Sequence, residues 1–164
     1  MIMMNAVLVA TDFGETSNAA LVYGRDLART FGARLHVLHV AEAISPMAGE
    51  AFLPGELEAL QADVIERATR QLDHLLASHD LTTTQAKPVV RVLDNTAGAI
   101  VDYAKEAHVD IIVVGTHGRG PVSHLFMGSV AEHVVRHAPC PVLVVRPTEH
   151  EFVAPDPLHV RARI

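Results

Sequence analysis

The sequence predicts a single α/β domain built on a doubly wound parallel sheet. Three observations predict it. Short β-branched runs alternate with longer segments whose apolar residues recur at helical spacing. Those short runs are continuously apolar, as in strands covered on both faces, and do not alternate as one-sided strands do. The length, 164 residues, suits one domain with a core of useful size, and no internal repeat or second domain is evident.

The elements follow in order. NAVLVAT, residues 5–11, is the first strand, and DFGETS after it is a loop whose Thr16 or Ser17 is placed to cap a helix. Ala20, Gly24, Leu27, Ala28 and Phe31 carry that helix, and Gly32 is placed to end it. RLHVLHV, 34–40, is the second strand; residues 41–55, with Pro46, Gly49, Pro54 and Gly55, read as a long loop. Leu57, Leu60, Val64, Ala68, Leu72 and Leu75 form one apolar stripe down a second helix whose other face is charged. KPVVRVL, 87–93, is the third strand, and Pro88 suits a sheet edge. Ile100, Tyr103, Ala104 and Ala107 mark a third helix, 109–114 a fourth strand, 129–137 a fourth helix, and PVLVVR, 141–146, a fifth strand. The domain is read as 1–147, and the proline-containing remainder, 148–164, as a tail.

Composition excludes several functions. The net charge is −6 and no dense Lys/Arg run occurs, which disfavours broad nucleic-acid binding. Two tyrosines, five phenylalanines and no tryptophan leave few platforms for stacking single-stranded bases. No apolar run has the length of a membrane span and no secretory signal is evident. A lone Cys140 excludes an internal disulfide framework. A cytoplasmic location and no membrane partner are therefore expected.

The chemistry concentrates in GTHGRGPVSHLFMGS, residues 115–129, directly after the fourth strand. In open α/β sheets ligands bind beyond the carboxyl ends of the strands. Asp12 stands at one such end, Val40 at a second, and the glycine stretch at a third. An acid, an apolar wall and a glycine turn opening a helix are the parts a nucleotide needs. Glycine amides form an anion nest, and the fourth helix N-terminus with Ser129 adds another phosphate contact. His117 and Arg119 can reach phosphates from the same loop. The stretch begins like a Walker loop, but Pro121 and Val122 occupy the Lys and Ser/Thr positions, so it is no P-loop NTPase. A dinucleotide fingerprint fails as well, for want of its third glycine.

The spacing Gly115-x2-Gly118-x9-Gly128-Ser129 resembles the G-2x-G-9x-G-[S/T] pattern of ATP-binding universal stress proteins. NAVLVATDF, LHVLHVAE, and VDIIVVGTHGRGP continuing to GSVAEHVVRHAPCPVLVVR resemble the family's blocks in order, over residues 5–147. The resemblance implies a five-stranded sheet of order 3-2-1-4-5 with helices on both faces, and ATP bound between strands one and four. It implies that Val40 contacts adenine, that Ala10, Thr11 and Val114 lie near base and sugar, and that Asp12 meets ribose or the phosphate-metal region. Gly115, Gly118, Gly128, Ser129 and Val130 would hold phosphates, with Mg2+ or Mn2+ arriving through them. The 41–55 loop is placed to cover or to obstruct the adenine side. Family members commonly dimerise through the fifth strand, which implies a homodimer through Pro141 to Arg146.

The expected function is an ATP-binding regulatory or stress-response factor with little or slow hydrolysis. The alternatives are a weak ATP hydrolase or phosphotransferase, and a nucleotide-free dimeric interaction module. No catalytic set of nucleophile, base and orienting group is present in the sequence. His133 and His137 share a helix face, but Glu-His-x-x-x-His is not the catalytic zinc order, and no metal ligands are assigned.

Overall fold

A computed structural model describes residues 2–45, 53–79, 81, 86–116 and 127–146. The apolar runs form five strands: β1 (Ala6–Ala10), β2 (Arg34–Ala41), β3 (Lys87–Val92), β4 (Ile111–Gly115) and β5 (Val142–Val145). All pair in parallel, in the order β3-β2-β1-β4-β5. Between them run α1 (Glu15–Phe31), α2 (Glu56–Ser78), α3 (Thr96–Glu106) and α4 (Ser129–His137).

The strand side chains alternate between two apolar layers. Val7, Val9, Leu35, Val37 and Val113 pack with Ala20, Leu21 and Ala28 of α1 and Leu72 and Leu75 of α2. Leu8, Leu38, Ile112 and Val114 pack with Ile100, Val101 and Tyr103 of α3 and Ala131 and Val134 of α4. Burial on both faces is why these strands read as unbroken apolar runs. Helix α1 sits so close to the sheet that a Cβ on Gly24 would lie 2.2 Å from the Val9 side chain. Pro88 lies in edge strand β3, where a missing amide is tolerated. Gly32 ends α1 with φ 65, the left-handed conformation in which glycine carries no Cβ penalty.

Two local expectations are corrected. The N-cap of α1 is Gly14, with no side-chain cap, and neither Thr16 nor Ser17 takes that role. The reason is the preceding turn: Phe13 adopts φ 64, and the Asp12 carboxylate accepts from the Gly14 amide at 2.9 Å, so the chain enters the helix earlier. Strand β4 begins at Ile111, because the Val109 amide is spent on the Ala104 carbonyl in closing α3. Gly118, Arg119, His117, residues 46–52 of the 41–55 loop and the 148–164 tail lie outside the described residues.

Candidate functional site

From β1 the chain proceeds to β2 and β3 on one side of the sheet, whereas β4 and β5 lie on the other. The reversal opens a cleft above the carboxyl ends of β1 and β4. It has a volume of about 450 Å³, within the range of small-molecule sites. Nine of the eleven residues singled out from the sequence line it: Ala10, Thr11, Asp12, Val40, Val114, Gly115, Gly128, Ser129 and Val130. The other two, Gly118 and Arg119, lie outside the described residues.

Ser17, Leu38, Glu42, Thr96, Ile100, Thr116 and Ala131 also line the cleft and were not singled out from the sequence. Leu38 was legible as a β2 residue and Ile100 as part of the α3 stripe. Which end of each element faces a ligand follows only from the packing of α3 across the sheet. Thr96 follows Asn95, whose side chain accepts from the Gly98 amide and starts α3 at the rim.

The acid side of the cleft is a hydrogen-bonded turn. The Ser17 hydroxyl donates to the Gly14 carbonyl at 3.0 Å, and the Phe13 amide donates to Thr11 Oγ1 at 3.0 Å. The Thr11 and Ser17 hydroxyls are 3.2 Å apart. Because the Ser17 proton is already committed, the Thr11 hydroxyl donates to Ser17 Oγ. Both side chains are buried, so this relay is shielded from water and fixes the turn that carries Asp12. Asp12 Oδ1 accepts from Gly14, which leaves Oδ2 for a further partner.

The opposite wall is the start of α4. Gly128 is an extended N-cap and offers no side-chain cap, so the first-turn amides have no intrahelical partner and no capping side chain among the described residues. Such a helix end carries partial positive charge and attracts anions. Gly115 has a different reason for being glycine: a Cβ there would lie 2.6 Å from the Thr16 methyl and 3.1 Å from its carbonyl. Its small size lets α1 begin beside β4. Leu38, Val40, Ile100 and Val114 supply an apolar floor and wall.

Asp12 and Glu42 are the formal charges among the described lining residues, and no lysine or arginine joins them. A second cavity, of about 440 Å³, lies along α2 between Phe13, Arg67, Arg70, Gln71, His74 and Leu75. It contains none of the strand-end acid or helix-start geometry, and Arg67 and Arg70 are paired with Asp63 and Glu66. The strand-end cleft is therefore the candidate site.

The shifted titrations lie elsewhere. Burial, then Lys87 and Arg34, hold His36 below the usual histidine range. Burial pushes the Cys140 thiol up, with Asp110 adding to the rise, so it is a poor nucleophile. His133 and His137 stack with centroids 4.1 Å apart, and no group of three or more metal-ligating residues occurs among the described residues. Nor is any described helix long and apolar enough to cross a membrane.

Residues 3–146 match the model of the universal stress protein family. A universal stress protein from Thermus aquaticus is 35% identical over 144 residues, covering 88% of this chain and all of the relative. The solved structure of MJ0577, a universal stress protein of Methanocaldococcus jannaschii, superposes with TM-score 0.74 at 25% identity, over 91% of this chain and 100% of that one. A universal stress protein solved in complex with cAMP shares the fold at TM-score 0.57 and 22% identity, over 90% of this chain and 100% of that one. The chain belongs to the universal stress protein family.

Proposed function

We propose that this chain binds ATP in the strand-end cleft and uses it as a regulatory ligand, with little or slow hydrolysis. The observation that carries the reading is the pairing, across one 450 Å³ cleft, of the Asp12 turn with the uncapped start of α4. The apolar patch of Val40, Leu38 and Ile100 suits a base, Asp12 a ribose hydroxyl or phosphate-bound cation, and Gly128 to Val130 the phosphates. The cAMP complex of a distant relative is consistent with an adenine nucleotide in this fold. Gly118 and Arg119 would complete the phosphate side.

A divalent ion fits this donor set. With two carboxylates and no cation among the described lining residues, the cleft needs countercharge to receive a triphosphate. Asp12 has one carboxylate oxygen available, a hard donor suited to Mg2+ or Mn2+ shared with phosphates. The ion would supply charge neutralisation. The described lining offers no nucleophile-base pair, which favours a ligand role over fast turnover. Bound fraction would then shift the protein between states that a partner distinguishes.

The test is mass spectrometry of nucleotide released when purified protein is denatured, repeated after incubation with ATP and Mg2+. Released ATP supports the reading; conversion to ADP on the protein supports hydrolysis instead. Release of no nucleotide in either sample overturns it. We also propose a homodimer through β5, a four-residue edge strand paired on one side by β4.

A further inference from the structure

Strand β2 sends Leu35 and Val37 into the core layer shared with α1 and α2. His39 continues the same side-chain alternation, yet it is an imidazole at the end of an apolar row. Its Nδ1 lies 2.9 Å from the carbonyl oxygen of Thr11. A carbonyl only accepts, so Nδ1 carries the proton and donates. The same ring packs on Phe13, with centroids 4.4 Å apart and planes tilted by 38°.

These two contacts grip the residues on either side of Asp12. Phe13 holds φ 64, a left-handed conformation that a bulky L-residue keeps only when its surroundings over-determine it. The grip comes from outside the cleft, since His39 is not among its lining residues while Asp12 is. An apolar residue at 39 could pack on Phe13 but could not hold the Thr11 carbonyl.

We propose that His39 is a positioning residue for the ligand site, clamping Thr11 and Phe13 so that the Asp12 carboxylate is aimed into the cleft. Its effect on affinity rests on the nucleotide reading, whereas its hold on the turn does not. The Phe13 amide is bonded to Thr11 Oγ1 and the Gly14 amide to Asp12 Oδ1, so these two N–H groups report whether the turn is intact.

The experiment compares full-length wild type with His39→Phe, which keeps a ring and loses the donor, and His39→Asn. The asparagine amide nitrogen stands the same number of bonds from Cα as Nδ1, so it can restore the donor. Amide exchange at Phe13 and Gly14 is measured by NMR, with Ile100 and Val101 as controls, and MgATP affinity by calorimetry. In His39→Phe both turn amides exchange faster and affinity falls by about fivefold to tenfold, the scale of one hydrogen bond, with the controls unchanged. His39→Asn recovers most of both. Unchanged turn protection or unchanged MgATP affinity in a folded His39→Phe overturns the proposal, and equal losses in both variants overturn the donor role. If wild type takes up no ATP, the nucleotide reading fails separately, and exchange at Phe13 and Gly14 still decides whether His39 holds the turn.

Discussion

The Gly128 amide donates to the Thr116 carbonyl across 2.6 Å, so the chain leaves β4 and re-enters α4 at one point. Gly128 itself has φ −64 and ψ 152, a conformation open to any residue. Its lack of a side chain is therefore not demanded by backbone strain. It lines the cleft beside Ser129 and Val130, where a larger side chain would compete with a ligand for the α4 amides. Gly128→Val should lower ATP affinity by at least about tenfold, as expected where backbone amides carry the phosphate contact, and cost only about 1 kcal/mol of stability, the penalty of a poorer N-cap residue. Calorimetry on the folded variant checks this.

Gly115 should behave differently. A Cβ would press on the Thr16 carbonyl and methyl, and the carbonyl belongs to backbone that cannot rotate away. Gly115→Ala is expected to destabilise the fold by about 1–3 kcal/mol, the usual cost of overpacking. Urea denaturation measures it. Any loss of ligand affinity should accompany that loss of stability, in contrast to Gly128→Val.

His36 sets a pH dependence of stability. Its Nδ1 lies 2.8 Å from the Tyr103 hydroxyl, while its buried Nε2 has no hydrogen-bond partner among the described residues. Protonation would place an unpaired N–H and a charge in the layer beneath α3, near Lys87 and Arg34. The folded pKa is therefore below the ordinary 6.5, first by burial and then by those two cations. Between the folded and unfolded values the unfolded chain binds more protons, so stability rises with pH there. The contribution is complete above about 6.5 and is lost as pH falls from there toward the lower folded value. The thermal midpoint of wild type should drop between pH 7.5 and 5.5 more steeply than that of His36→Leu. Parallel slopes would contradict this assignment.

Strand β5 gives an expectation about assembly. Val142, Leu143 and Val144 are half-buried on an edge strand, and exposed edges of this kind are commonly paired or covered. Sedimentation at micromolar concentration should return the mass of two 17.7 kDa chains. A single-chain mass would remove the β5 dimer.

Much of the fold was legible because each signal had one physical meaning. Gly32 past an amphipathic run ends α1, Pro88 marks edge strand β3, and the Ser129–His137 period coincides with α4. Glycine and hydroxyl residues were more ambiguous. Gly115 reads in sequence as part of an anion nest, but the close start of α1 already requires it. Thr16 or Ser17 reads as a helix cap, whereas the Ser17 hydroxyl belongs to the relay that holds the Asp12 turn. The His36–Tyr103 pair spans 67 positions and the His39–Thr11 bond 28, separations at which no local pattern announces a contact. Thr96 and Ile100 enter the cleft for the same reason: only the crossing of α3 over the sheet brings them there.

The proposed nucleotide site joins the Asp12 turn to the start of α4. Its most direct measurement is calorimetric titration of the full-length protein with ATP in excess Mg2+, paired with a thermal melt. Saturable binding at one site per chain is expected, with stabilisation of about 2.7 kcal/mol at a hundredfold excess over Kd. No binding heat and no midpoint shift at millimolar ATP would contradict it.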